Sequence, residues 1–170
     1  MYVTCDNVVE SVYVDGVEQT LGGEAGDWAQ TSHVTVTAGS QTVAIKCTDE
    51  GGIAALLASV RIDDDKEIIS DASWSCSNVY EEGWTENDFV EDPVNWKKAI
   101  PQKQNGALPW RLRDNISGSA WWIWTDDPKD DNEIFCRKYL KDLFQPLVPG
   151  KPNGVLQQHK SSLQAYVFML

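Results

Sequence analysis

A chain of 170 residues, 42% apolar and 24% charged, is long enough for one domain with a real core and lacks the composition of a disordered segment. Its 26 acidic and 14 basic residues leave a net charge of −12, which speaks against nucleic acid, whose phosphates need basic partners, and against anionic membrane surfaces. No apolar run reaches the ~20 residues of a membrane span, and the acidity fits either a soluble secreted protein or one whose carboxylates hold Ca²⁺.

The first part of the chain carries five short runs: Val3–Thr4–Cys5, Ser11–Val14, His33–Val36, Val43–Cys47 and Ala55–Val60. They are rich in Val and Thr, alternate roughly with period two and carry no helical stripe, which predicts an antiparallel all-β fold. Asp15–Gly16 predicts a tight hairpin turn, and Ala38–Gly39–Ser40 a second turn. Glu67–Ile69 reads as a short strand and Asp71–Ser77 as another, with Trp74 inward and the serines outward. Glu81–Ala99 is polar, broken by Gly83 and Pro93 and anchored by Trp84, Phe89 and Trp96. It predicts a long ordered loop with one helical turn at Pro93–Lys98, capped by Asp92. Pro101–Asn115 also reads as loop. Ser119–Thr125 has a strand's length, with Trp122 and Trp124 on one face and Trp121 and Ile123 on the other. After the acidic turn Asp126–Glu133, Ile134–Leu140 reads as the last core strand, and the two strands together read as a hairpin. The chain thus divides into a sandwich over residues 1–140 and an irregular extension over 141–170. The extension carries Pro146, Pro149 and Pro152 and an apolar end suited to an added edge strand or to self-association.

Four cysteines allow three pairings. There is no CxxC and there are only two histidines, so a zinc site is disfavoured. Cys5 and Cys47 lie in strand-like runs of the first half and Cys76 and Cys136 in the second, which predicts the disulfides Cys5–Cys47 and Cys76–Cys136; free buried thiols are the alternative. The even count favours an oxidising compartment, and the single sequon, Asn115–Ile116–Ser117, agrees with secretion. Met1 runs at once into a strand, as expected of a mature domain without a leader.

The words CDNVVESVYVDG, DW and TVAIKCTDEGGIAALLAS resemble the accessory β-sandwich domains of the galactose-binding-domain-like superfamily, which flank glycoside hydrolases. SDASWSCS, EEGW, DPVNWKKA and ISGSAWWIWTDD followed by DNEIFCRKYL resemble repeated extracellular domains of marine invertebrate proteins. The resemblance covers Val3 to Leu140, and the extension has no counterpart in it. It implies a jelly-roll β-sandwich of about eight strands. It also implies glycan binding or a spacer role, often a structural Ca²⁺, and rarely catalysis.

The residues themselves offer no catalytic constellation. His33 stands alone in a β-run and His159 lies in the extension, and neither GxSxG nor a P-loop is present. Carboxylate pairs abound in any acidic chain, and a small sandwich seldom provides the cleft a glycosidase needs. Sugars are held by aromatic faces with convergent polar groups around them. Trp28 beside Asp27, and Trp110 in its loop, are the candidates for exposed glycan platforms, with Trp84 a third. Asn7, with Asp6, either lines such a site or closes a turn. Trp74, Trp122 and Trp124 read as core and Trp96 as the pin of its loop. For Ca²⁺ the candidates are Asp63 and Asp65 in one acidic cluster, Asp126 and Asp130 in a second, and Asp49–Glu50 in a third. None has EF-hand spacing, and such runs are ordinarily solvated faces. The expectation is a secreted, non-enzymatic sandwich that recognises a glycan or glycoprotein. The alternative is a structural or adhesive extracellular module without a small ligand.

Overall fold

The computed structural model describes residues 1–61 and 66–140. Asp63, Asp65 and the whole extension from 141 onward lie outside the described residues. Among those described, the elements are all strands, in the order β1 (Tyr2–Asp6), β2 (Val8–Val14), β3 (Val17–Glu18), β4 (Gly22–Gly23), β5 (Ser32–His33), β6 (Thr42–Thr48), β7 (Ala55–Arg61), β8 (Glu67–Ile69), β9 (Ser75–Ser77), β10 (Lys97–Lys98), β11 (Ile100–Gln104), β12 (Trp121–Trp124) and β13 (Glu133–Tyr139). One sheet runs β11-β12-β7-β1-β5-β4 with β8 also paired to β7, and the other runs β10-β9-β13-β6-β2-β3. Every pairing is antiparallel. The chain passes from one sheet to the other between β1 and β2, β3 and β4, β5 and β6, β6 and β7, β8 and β9, β10 and β11, and β12 and β13. The result is a β-sandwich consistent with the jelly-roll type.

Period-two alternation fills the space between the sheets. Val3 and Cys5 of β1 and Leu56, Ala58 and Val60 of β7 enter it from one side. Val43, Ile45 and Cys47 of β6 and Ile134 and Cys136 of β13 enter it from the other. Cys5 is bonded to Cys47 and so ties β1 to β6 across the core, while Cys76 is bonded to Cys136 directly opposite it in the β9–β13 ladder. Both predicted disulfides are therefore present. The Asp15–Gly16 turn is also as expected. Tyr13 pairs with Glu18 and Val14 with Val17, and Asp15 and Gly16 have φ of 52° and 78°, the two positive values of a type I′ hairpin. The Asp15 carboxylate accepts from the Gln41 and Thr42 N–H groups, which fixes this turn against the start of β6.

The sandwich has two further layers. The outer face of β7, Ala55 and Leu57, is covered by Trp110, Ile116, Ala120 and Trp122. The outer face of the second sheet, Ala44 and Phe135, is covered by Trp84 and Trp96, with Tyr13 and Phe89 packed beside them. The aromatic-pinned excursion thus lies flat on its sheet. Asp92 caps a turn over residues 93–95, accepting from Val94 N–H through the side chain and from Trp96 N–H through the carbonyl, but the expected helical turn stops short of Lys97 and Lys98, which form strand β10. Arg137 of β13 is sealed under this layer, with its guanidinium 5.0 Å from the Phe89 ring centre and 4.7 Å from that of Tyr139. It donates to the Glu86 carbonyl at 2.8 Å and lies 3.7 Å from the Glu91 carboxylate. Burial pulls its pKa down, and Tyr139 and Glu91 oppose that shift.

Several local expectations give way. β12 and β13 do not form a hairpin: β12 pairs with β11 and β7, and β13 with β6 and β9, in opposite sheets. The segment between them crosses the sandwich edge, held where Trp124 Nε1 donates to the Asp131 carbonyl. The segment from Pro101 is not all loop, because β11 is a strand at the sheet edge, where a proline leaves no ladder bond unmade, and its register shifts between Pro101 and Lys103. The run from His33 to Val36 keeps strand pairing only at its start. Ser75 and Ser77 flank the inward Cys76, yet both are buried, because the excursion covers them.

Replacing either cysteine pair by alanine removes a closed loop of 42 or 60 residues and is expected to cost about 4 kcal/mol of stability by the chain-entropy relation. Urea unfolding of Cys5→Ala/Cys47→Ala and of Cys76→Ala/Cys136→Ala checks this, and a loss under about 1 kcal/mol for either would contradict it.

Candidate functional site

The outer face of β1 carries Tyr2, Thr4 and Asp6, opposite Ser59, Leu57 and Ala55 of β7. Three residues in alternation thus sample three environments. At one end the Asp6 carboxylate accepts from Trp110 Nε1 at 2.6 Å. In the middle Thr4 Oγ1 donates to the Trp28 carbonyl at 3.0 Å. At the other end the Tyr2 ring, tilted against His33 with ring centres 5.9 Å apart, is 40% exposed.

Trp110 was expected at the surface, and that expectation is overturned. It is 2% exposed and stacks on Trp122 with ring centres 4.9 Å apart and planes 22° from parallel. The cause is the apolar outer face of β7, which needs a cover and takes it from this loop. Asn105 shapes the loop from within, donating to the carbonyls of Arg113, Ile116 and Ser117 and accepting from Arg113 N–H. Arg113 donates to the Trp110 carbonyl and lays its guanidinium 5.1 Å from the Trp28 ring centre. Trp28 is half-buried with that face occupied. Asp6, Trp28 and Trp110 therefore meet, from three distant stretches of chain, but they meet as a plug.

The remaining named residues serve turns. Asp27 is exposed and its carboxylate accepts from Ala29 N–H. Asn7 accepts from Glu50 N–H at 2.7 Å, joining β1 to the turn after β6. Asp49 accepts from Gly51 N–H in that same turn. Trp84, the third candidate platform, is buried and sits edge-on to Phe135. Asp126 and Asp130 are exposed, and Asp131 is the residue that organises their turn, accepting from Asn78 Nδ2 and from Thr125 Oγ1. Among the described residues, no three His, Cys, Asp or Glu side chains are placed to hold a metal ion.

One cleft of about 310 Å³ joins a partly exposed aromatic to charged and polar side chains, at the low end of the ~300–1,000 Å³ of small-molecule sites. Tyr2, Ser59, Arg61, Glu67, Asp114 and Asn115 line it. Arg61, Glu67 and Asp114 make no hydrogen bond or ion pair with another described residue. Its residues were not singled out in the sequence, apart from the Asn115 sequon. The available signal was alternation: with Val3 and Cys5 inward, Tyr2 must face out, and nothing in β1 covers it. A second cleft, about 210 Å³, lies beside β10 and contains Asn78, Asn95, Lys97, Lys98 and Asp131. There Asn78 donates to the Asp131 carboxylate and Asn95 to that of Glu81.

Asp6 gives the plug a pH dependence. Burial raises its pKa above the ordinary 3.8, the Trp110 hydrogen bond opposes this, Asp49 adds to it, and Arg113 opposes it. The folded chain therefore holds this proton more tightly than the unfolded one, so ionising Asp6 works against the fold as pH rises from 3.8 through the folded pKa. Asp6→Asn keeps an oxygen for Trp110 and removes the charge. Relative to the parent chain it is expected to gain stability between about pH 4 and pH 7, read by urea unfolding at both; a relative loss over that interval would refute the assignment. Trp110→Ala is expected to cost about 3–5 kcal/mol, as for other fully buried tryptophans.

Compared with family models, with curated proteins and with solved structures, the chain matches none.

Proposed function

We propose that the sandwich is a non-catalytic extracellular structural or adhesive module. The observation that carries this reading is the fate of the loop aromatics. Trp84, Trp96 and Trp110 are buried against the outer faces of the two sheets, and Trp28 packs beside them under Arg113. A lectin loop presents its aromatic face to solvent, whereas these loops spend theirs on the protein's own surface. Two disulfides are compatible with an extracellular setting, and among the described residues no helix is long and apolar enough to cross a membrane.

Carbohydrate recognition stands as the second reading, and the observation that favours it is the Tyr2 cleft lined by Arg61, Glu67 and Asp114. A glycan array run with the purified chain in millimolar Ca²⁺, and again in EDTA, separates the two. The structural reading expects no sugar bound in either condition. Binding that Tyr2→Ala abolishes while leaving the unfolding midpoint unchanged would overturn it in favour of the cleft, and binding lost only in EDTA would do so in favour of an acidic-loop site.

A further inference from the structure

The Tyr2 cleft ends on Asn115. This residue opens the chain's single Asn-x-Ser sequence, Asn115–Ile116–Ser117, and it is exposed at a turn in which Ile116 N–H bonds the Arg113 carbonyl. Its Nδ2 makes one hydrogen bond, to Thr31 Oγ1 at 3.2 Å, which leaves the second N–H of the amide free. Ile116, the middle residue of the sequence, is buried against Trp110 and Trp122, so the turn is held in place and the asparagine is presented outward. The same side chain forms one wall of the cleft whose other walls are Tyr2, Ser59, Arg61, Glu67 and Asp114.

We infer that Asn115 is an N-glycosylation site and that the first sugar of its glycan lies in the Tyr2 cleft. The inference rests on the extracellular reading above. In the transfer, Asn115 Nδ2 bonds to C1 of a saccharide carried on a lipid diphosphate. The C1–O bond to diphosphate breaks, the diphosphate leaves with the bonding pair, and the amide gives up one proton. The remaining N–H still reaches Thr31. A hexosamine attached at this wall has one apolar C–H face and a rim of hydroxyl and acetamido groups. The exposed Tyr2 ring suits the face, and Arg61, Glu67 and Asp114 suit the rim. A cleft filled in this way is closed to free sugars, which accords with a module that binds none.

The test uses the full 170-residue chain secreted from cultured animal cells behind a cleavable leader, with material taken from both medium and cells. Intact mass is measured before and after peptide N-glycosidase treatment of the denatured protein. One enzyme-sensitive glycan is expected, lost in Asn115→Gln and in Ser117→Ala and kept in Ser117→Thr. A chain from both fractions with no enzyme-sensitive mass overturns the site. A non-reducing peptide map of the same sample keeps the two claims apart: closed disulfides without a glycan sink the site alone, and a glycan with open disulfides sinks the extracellular reading alone. The seating is read by endoglycosidase cleavage of the native protein bearing a high-mannose glycan. Tyr2→Ala is expected to speed that cleavage about fivefold, as for loss of one aromatic contact, with no change on denatured protein. Equal native rates overturn the seating.

Discussion

β7 has apolar residues on both faces, and the rest of the architecture answers to that. Leu56, Ala58 and Val60 face the second sheet, while Ala55 and Leu57 face away from it. A sandwich of two sheets would leave the outer pair in water. The same holds for Ala44 and Phe135 on the other side. Burying such surface is worth roughly 25 cal/mol per Å², and each tryptophan laid over it removes ~150–250 Å² of its own from water. The two long connections are therefore the third and fourth layers of the domain, each held down by indoles and by a cation: Arg113 over Trp28 on one side, and Arg137 between Phe89 and Tyr139 on the other.

This arrangement limits what the loops can do for a partner. A side chain that seals a sheet cannot also serve as a platform, and the hydrogen bonds that hold the seal occupy the nearby polar groups: Asp6 on Trp110, Asn105 on three carbonyls, Thr4 on Trp28. The open part of the outer surface is what the seal leaves over. On the first sheet that is the stretch beyond Asp114, where Tyr2 is 40% exposed.

The longer strands of the first half were legible as short Val- and Thr-rich runs between turn signals, and in β6 the structure sets Val43, Ile45 and Cys47 inward and Ala44 outward. The type I′ turn at Asp15–Gly16 was legible from its two residues. Both disulfides followed from which strands held the cysteines. The pairing of β12 was not legible. Acidic turn residues after it look the same whether the chain reverses within a sheet or crosses to the other, and the choice is made by distant β7 and β11. Trp110 failed for a related reason. Its neighbours in sequence, Pro109 and Arg111, announce a loop, but its burial is dictated by Leu57 and Trp122, which local reading does not bring near it. The same reading could bring Asp6, Trp28 and Trp110 under suspicion together without seeing that they touch one another.

The disulfides also set how far the domain can be stretched. They close consecutive loops, Cys5 to Cys47 and Cys76 to Cys136, rather than nested ones. Force applied along the chain passes through each S–S link and bypasses everything inside the loops, so β2 to β5 and β10 to β12 bear no tension even after the sandwich opens. What can extend between the two bridges is the stretch from Cys47 to Cys76, which contains β7 and β8. The spans of 42 and 60 residues withheld from extension amount to roughly 350 Å of chain at ~3.4 Å per residue. An oxidised domain under load therefore yields by a short, fixed step and then holds, and only reduction releases the rest.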